Sequence, residues 1–176
     1  MKPNVLQDRV VYDGNKFSLH KIDFQFQDNE FFSHEYIEHF GSSAIIPFLD
    51  SENIILVEQW RYSVGKYVLE IPSGNRKISE SSIQCARREL REETNYDAKQ
   101  ISLLCETLVA PGYSSEKCSI FSAKEIFHSP LKPDLDEHIE INSIKISNVP
   151  ELIRKGKIVD QTSIIALLLM NTIFSG

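Results

Sequence analysis

The chain has 176 residues, 41% of them hydrophobic, which is enough apolar material for one compact domain with a full core and too short for two. Its 25 acidic residues against 19 basic ones give a net charge of -6, a field that repels nucleic-acid backbones and anionic lipid surfaces, so neither a polynucleotide nor a membrane is expected as a partner. Three cysteines, Cys85, Cys105 and Cys118, show no Cys-x-x-Cys spacing and fit reduced thiols in a cytoplasmic protein. The polar N-terminal stretch has no apolar run of the ~7–15 residues a secretory signal needs, so no export is expected.

Residues 1–40, rich in Phe and charge, read as a small β extension. Two short apolar runs bounded by turn-formers, Ala44–Phe48 and Ile54–Val57, are expected to be buried strands that pair as neighbours. Tyr67–Ile71 is a further strand, stopped by the turn cluster Pro72–Asn75. From Ser79 to Thr94 the apolar residues Ile83, Ala86 and Leu90 recur at helical spacing, which predicts a charged helix with one buried stripe and Ser79 as its N-cap. Ile101–Leu108 and Cys118–Ala123 are strand candidates separated by the loop 110–116, and Ile139–Ile146 is another, following an acidic loop. A short helix should start near Asn148, with Pro150 in its first turn, and end before Gly156; a last helix should begin near Asp160. The apolar run Ile164–Met170 in that last helix falls well short of the ~20 residues that span a bilayer and reads as a buried segment. Strands and helices interleaved this way make an α/β layered domain with a mixed sheet, without internal repeats.

The chemistry is concentrated in the helix. Glu89, Glu92 and Glu93 stand at i, i+3 and i+4, so their carboxylates gather on one face. Like charges at this spacing cost a helix about 0.2–0.5 kcal/mol per pair unless something offsets them. Two readings are open: a solvated face on which Arg88 pairs with Glu92 and Arg91 offsets the rest, or a hard divalent cation, Mg²⁺ or Mn²⁺, drawn by the oxygen ligands. The glycine-bearing turn ahead of the helix supports the second, since it can aim the Ser73 carbonyl and the helix N-terminus at one spot.

Gly74, Glu80, Arg88, Glu89, Leu90, Glu92 and Glu93 fall at the spacing of the Nudix hydrolase signature, and the chain resembles that family; Asn95 and Tyr96 depart from the Gly and aliphatic residue that close the signature. Asn tolerates a left-handed backbone best among non-glycine residues, so the helix stop should survive. The resemblance implies a Nudix-type α/β/α sandwich with a mixed β-sheet over residues 41–176, with residues 1–40 as an N-terminal β extension. It implies that Glu89 and Glu93 bind Mg²⁺ or Mn²⁺ directly with the Ser73 carbonyl, that Glu92 assists, that Arg88 holds the glutamates in position and that Glu80 supports. The metals would polarise a diphosphate as Lewis acids and help generate the hydroxide that attacks phosphorus.

Beyond the signature, the segments 58–62, 70–74, 111–116 and 156–160 resemble the ADP-ribose pyrophosphatase branch. On that likeness Arg61 offers a planar fork to a phosphate, and Glu70, Gly112 and Glu116 join the substrate-binding set. Trp60 and Tyr62 either stack on base or sugar or sit in the core. The branch places its catalytic base on an acidic loop near the C-terminus, here 132–140, with Glu137 preferred and Asp136 and Glu140 open. It also implies a homodimer in which the N-terminal extension crosses to the neighbour, with Phe17, Phe31 or Phe32 as a stacking face. The implied reaction is hydrolysis of ADP-ribose to AMP and ribose 5-phosphate. Another nucleoside diphosphate sugar, such as GDP-mannose, is the alternative substrate, and a non-catalytic ADP-ribose-binding domain is the reading from a different class.

Overall fold

The computed structural model describes residues 2–26, 30–132 and 138–174, with side chains described as far as Met170. The chain divides into two compact units, Met1–Gly41 with Leu108–Lys117, and Ser42–Thr107 with Cys118–Gly176.

The first unit is an antiparallel sheet of β1 (Asn4–Asp13), β2 (Ser18–Gln25) and β3 (Phe31–Glu38) in the order β1-β2-β3. A polar clip ties its strands together: His20, on the central strand, reaches Asp8 of β1 at 2.9 Å and Glu38 of β3 at 3.1 Å, while the Tyr36 hydroxyl donates to Asp8 at 2.8 Å. Every residue of β1 is exposed. The loop after residue 110 joins this unit through Ile37, whose N–H donates to the Tyr113 carbonyl (2.8 Å) and whose carbonyl accepts from the Ser115 N–H (2.9 Å).

The second unit comprises β4 (Ser42–Pro47), β5 (Asn53–Arg61), β6 (Lys66–Glu70), β7 (Ser73–Asn75), α1 (Ser82–Thr94), β8 (Tyr96–Leu108), β9 (Lys117–His128), β10 (Ile139–Lys145), α2 (Val149–Arg154) and α3 (Gln161–Phe174). One sheet is mixed, in the order β7-β4-β9-β8, with β4 parallel to β9 and antiparallel to β7. The other is antiparallel, in the order β10-β5-β6.

The expected pairing of 44–48 with 54–57 is therefore wrong. β4 is buried along its whole length and already has β7 and β9 on its two edges, and β5 has β6 and β10, so only an isolated bridge from Phe48 to Ile54 links them. Backbone groups this deeply buried must all be paired, and with both edges of each strand taken no ladder remains to be shared.

Helix α1 packs Ala86 and Leu90 against Ile45, Ala98, Phe121 and Ala123. Ile83, expected in the buried stripe, is 43% exposed, and Cys85 is buried instead. The helix also starts later than expected. Ser79 has φ 68° and lies in a turn closed by Glu80 N–H to the Lys77 carbonyl (3.0 Å), so the cap falls to Ser81, which forms a capping box with Gln84. α2 carries Pro150 in its first turn and is followed by Gly156 at φ 67°. Asp160 caps α3 by accepting from the Ser163 N–H at 2.7 Å. Among the described residues, no helix is long and apolar enough to cross a membrane.

Candidate active site

Geometry at both ends of α1 sets which carboxylates face inward. The capping box starts the helix, and Asn95, left-handed at φ 65°, ends it with its N–H on the Arg91 carbonyl at 3.2 Å. Between these caps Glu89 and Glu93 are only 4% and 3% exposed, a rare position for carboxylates. The turn from β6 to β7 closes over them. Ser73 N–H donates to Glu93 Oε2 at 2.9 Å, and a Cβ placed on Gly74 would lie 2.0 Å from Glu89 Oε1, so only glycine lets the backbone approach this carboxylate.

Arg88 is the counter-charge. Its guanidinium donates to both oxygens of Glu80 (2.9 and 3.0 Å), to Glu89, to Glu92 (2.7 Å) and to the Asn75 carbonyl (3.0 Å). Burial works against the arginine charge, but Glu80, Glu89 and Glu92 together overcome it and raise its pKa further. Glu80 is lowered in turn, chiefly by its hydrogen bond from Arg88. The open choice between an arginine-compensated face and a cation site thus resolves in part: the arginine serves three of the acids, not Glu92 alone, while Glu93 faces the turn.

These residues fit a hard divalent cation. Glu89 and Glu93 are buried beside the Ser73–Gly74 turn, Gly74 lets that backbone come close to the Glu89 carboxylate, and carboxylate oxygens are ligands such an ion prefers. Among the described residues no three His, Cys, Asp or Glu side chains close into a ready-made cage, as Arg88 engages Glu89 and Glu92 and the Ser73 N–H engages Glu93. Cys85 lies in the same helix, but burial and then the Glu89 charge push its thiol up to about 12, which disfavours the thiolate that a nucleophile needs.

A second charged group lies on the β5–β6 face. Arg61 pairs with Glu70, whose side chain is 5% exposed against 36% for the arginine. Burial raises the Glu70 carboxyl to about 7, opposed by Arg61 and reinforced by Asp160. The next residue, Ile71, donates its N–H to Ser163 Oγ at 2.9 Å, which ties the turn to the start of α3. Gln59 shares this buried face, and its Oε1 has no hydrogen-bond partner among the described residues.

Adjacent residues on a strand point to opposite faces, so Trp60 faces away from Arg61 and packs edge-on to Tyr67 with centroids 5.2 Å apart. Tyr62 is 74% exposed. Gly112 and Glu116 belong to the first unit. Glu137 and Asp136 lie outside the described residues. The chain leading to them is anchored to the last turn of α1, where Arg91 Nε donates to the Ser129 carbonyl (2.9 Å) and the Leu131 N–H to the Arg91 carbonyl (3.2 Å). Glu140 lies in β10 opposite Glu58. Sequence reasoning gave no site role to Gln59 or Asp160, although they lie in the segments 58–62 and 156–160, and it missed Ser163, which no local spacing marks.

A glycine turn feeding a helix with paired buried glutamates, on a mixed sheet, is the arrangement of the Nudix hydrolases. The chain belongs to that family: its NUDIX domain profile matches residues 39–161, more than half of the chain, and it falls in the ADP-ribose pyrophosphatase-like branch. It is 26% identical over 169 residues to an ADP-ribose pyrophosphatase of Bacillus subtilis (strain 168), covering 95% of this chain and 91% of that one. With a GDP-mannose pyrophosphatase of Salmonella typhimurium it shares 24% identity over 184 residues, covering 96% and 94% of the two. The crystal structure of an ADP compounds hydrolase superposes with a TM-score of 0.89 at 23% identity, covering 100% of this chain and 96% of that one, a likeness of fold.

Proposed function

We propose that the protein hydrolyses the diphosphate link of a nucleoside diphosphate sugar, with ADP-ribose as the preferred substrate and AMP and ribose 5-phosphate as products. The observation that carries this reading is the buried pair Glu89 and Glu93 under the Ser73–Gly74 turn. Carboxylates sealed this way are costly unless charge is brought to them, and a diphosphate substrate needs the same charge. Mg²⁺ or Mn²⁺ bound there would supply Lewis acidity to the diphosphate. In this reading Glu89, Glu93 and the Ser73 carbonyl hold the cation, Glu92 assists, and Arg88 fixes the orientation of the carboxylates.

Arg61 offers a planar donor fork to the diphosphate. Gly112, Glu116 and Trp60 are assigned to substrate by resemblance alone, as is Glu137 as base. A homodimer is supported by β1, whose apolar residues Val5, Leu6, Val10 and Val11 are each about half exposed or more. Free cysteines support a reducing, cytoplasmic setting.

GDP-mannose is the rival substrate, since a relative bearing that name is 24% identical to this chain over nearly its whole length. A panel of ADP-ribose, other ADP-sugars, GDP-mannose, NADH and diadenosine polyphosphates, assayed with Mg²⁺ and with Mn²⁺ and read by product mass, tests the reading. Release of AMP from ADP-ribose ahead of the others is the expected result; no diphosphate cleavage anywhere in the panel would overturn it.

A further inference from the structure

Arg61 is the last residue of β5, where Val64 and Gly65 turn back onto its carbonyl (3.1 and 2.9 Å). Its register partner is Lys66, yet its guanidinium pairs with Glu70, four residues further along β6. At about 3.3 Å per residue the register positions of the two residues lie roughly 13 Å apart along the sheet face, a gap that the arginine and glutamate side chains span together by leaning toward each other over the position of Val68. The arginine's charge thereby leans away from the turn end of the hairpin and toward the end of β6 that feeds the Ser73–Gly74 turn. Glu70 itself cannot follow a ligand. Its backbone is paired with Val57, the following N–H is held by Ser163, and its side chain is sealed. A carboxylate facing a diphosphate would also repel it. Glu70 takes Nη2 of Arg61, and the remaining N–H groups of the guanidinium have no partner among the described residues. They stay available to an anion.

We infer that Glu70 is a positioning residue, which acts on the diphosphate only by holding the Arg61 fork beside the Ser73–Gly74 turn. This replaces the direct substrate contact that resemblance suggested for Glu70, and it rests on the diphosphate-hydrolase reading of the site. An arginine freed of this tether would relax into solvent and lose its aim.

The test is a double-mutant cycle on the full chain with Mg²⁺ and the best substrate of the panel, with thermal melts run alongside. Glu70→Gln should raise KM about 10-fold or more while kcat changes less than about threefold, the signature of lost binding rather than lost chemistry. Arg61→Ala and the double variant should then agree within about twofold, because once the arginine is gone the carboxylate has nothing to hold. Glu70→Asp, which keeps the charge on a shorter stem, should give a KM between wild type and Glu70→Gln. Losses that multiply in the double variant, or an unchanged KM in Glu70→Gln, would overturn the inference. If Glu70→Gln melts below the assay temperature, Glu70→Asp takes its place in the cycle under the same criterion. A wild type inactive on the whole panel sinks both the site reading and this inference; turnover with multiplied losses sinks the inference alone.

Discussion

Replacing Arg88 with methionine keeps the apolar stem and removes the charge from a guanidinium that donates to Glu80, Glu89 and Glu92. The side chains involved are 15% exposed for the arginine and 13%, 6% and 11% for the three acids, so the carboxylates left behind are nearly but not fully sealed. Breaking a fully buried pair by deleting one partner costs about 3–5 kcal/mol; partial solvation here lowers that to about 2–4 kcal/mol. For a chain of this length each kcal/mol moves Tm by roughly 2–4 °C, so Arg88→Met should melt about 5–15 °C below wild type in metal-free buffer. Mg²⁺ should then restore more stability to the variant than it adds to wild type, since the cation becomes the main counter-charge; saturation at about 100 times Kd is worth roughly 2.7 kcal/mol. Differential scanning calorimetry with and without Mg²⁺ measures both quantities. A melting point within about 2 °C of wild type, with an equal Mg²⁺ shift in both proteins, would refute the claim that the glutamates depend on Arg88.

Glu93→Gln keeps an acceptor for the Ser73 N–H but removes the charge, so turnover should fall at least about 100-fold with little change in melting; full activity removes Glu93 from the chemistry. Gly74→Ala would put a methyl 2.0 Å from Glu89 Oε1 and should cost about 1–3 kcal/mol in urea denaturation together with most activity, whereas a neutral result would mean that the turn can move away. Ser81→Ala removes one arm of the capping box and should cost about 1 kcal/mol by the same assay, a loss that Ser79→Ala should not reproduce. Glu70 has its carboxyl raised to about 7, so the folded state holds a proton that the unfolded chain has already released; stability should fall as pH rises from about 4.5 through 7 and level off above, by at most about 3 kcal/mol from this group. Glu70→Gln should lack that slope, and parallel stability–pH curves for the two proteins would show that Glu70 does not titrate there.

The spacing from Gly74 to Glu93, the helix that carries it, its left-handed stop at Asn95 and the short helix with Pro150 were legible in the sequence. Each is local: helical periodicity, a positive φ and a cap are settled within a few residues, so the inward face of Glu89 and Glu93 follows from 3.6 residues per turn. Even locally, neighbouring elements competed. Ser79 has the chemistry of a cap, but the Lys77–Glu80 turn claims it, and Ile83 has the period of the stripe but points outward.

Tertiary structure decided what depends on partners distant in sequence. β4 meets β9 rather than β5 because pairing depends on which strand edges are free. Arg88 gathers Glu80 as well as its helix neighbours because the turn folds back over the helix. Arg61 finds Glu70 because β5 and β6 share a buried face, and Ile71 finds Ser163 because α3 begins against that turn. A sequence states which charges exist, but burial decides which of them must be answered, and burial is a property of the packed chain.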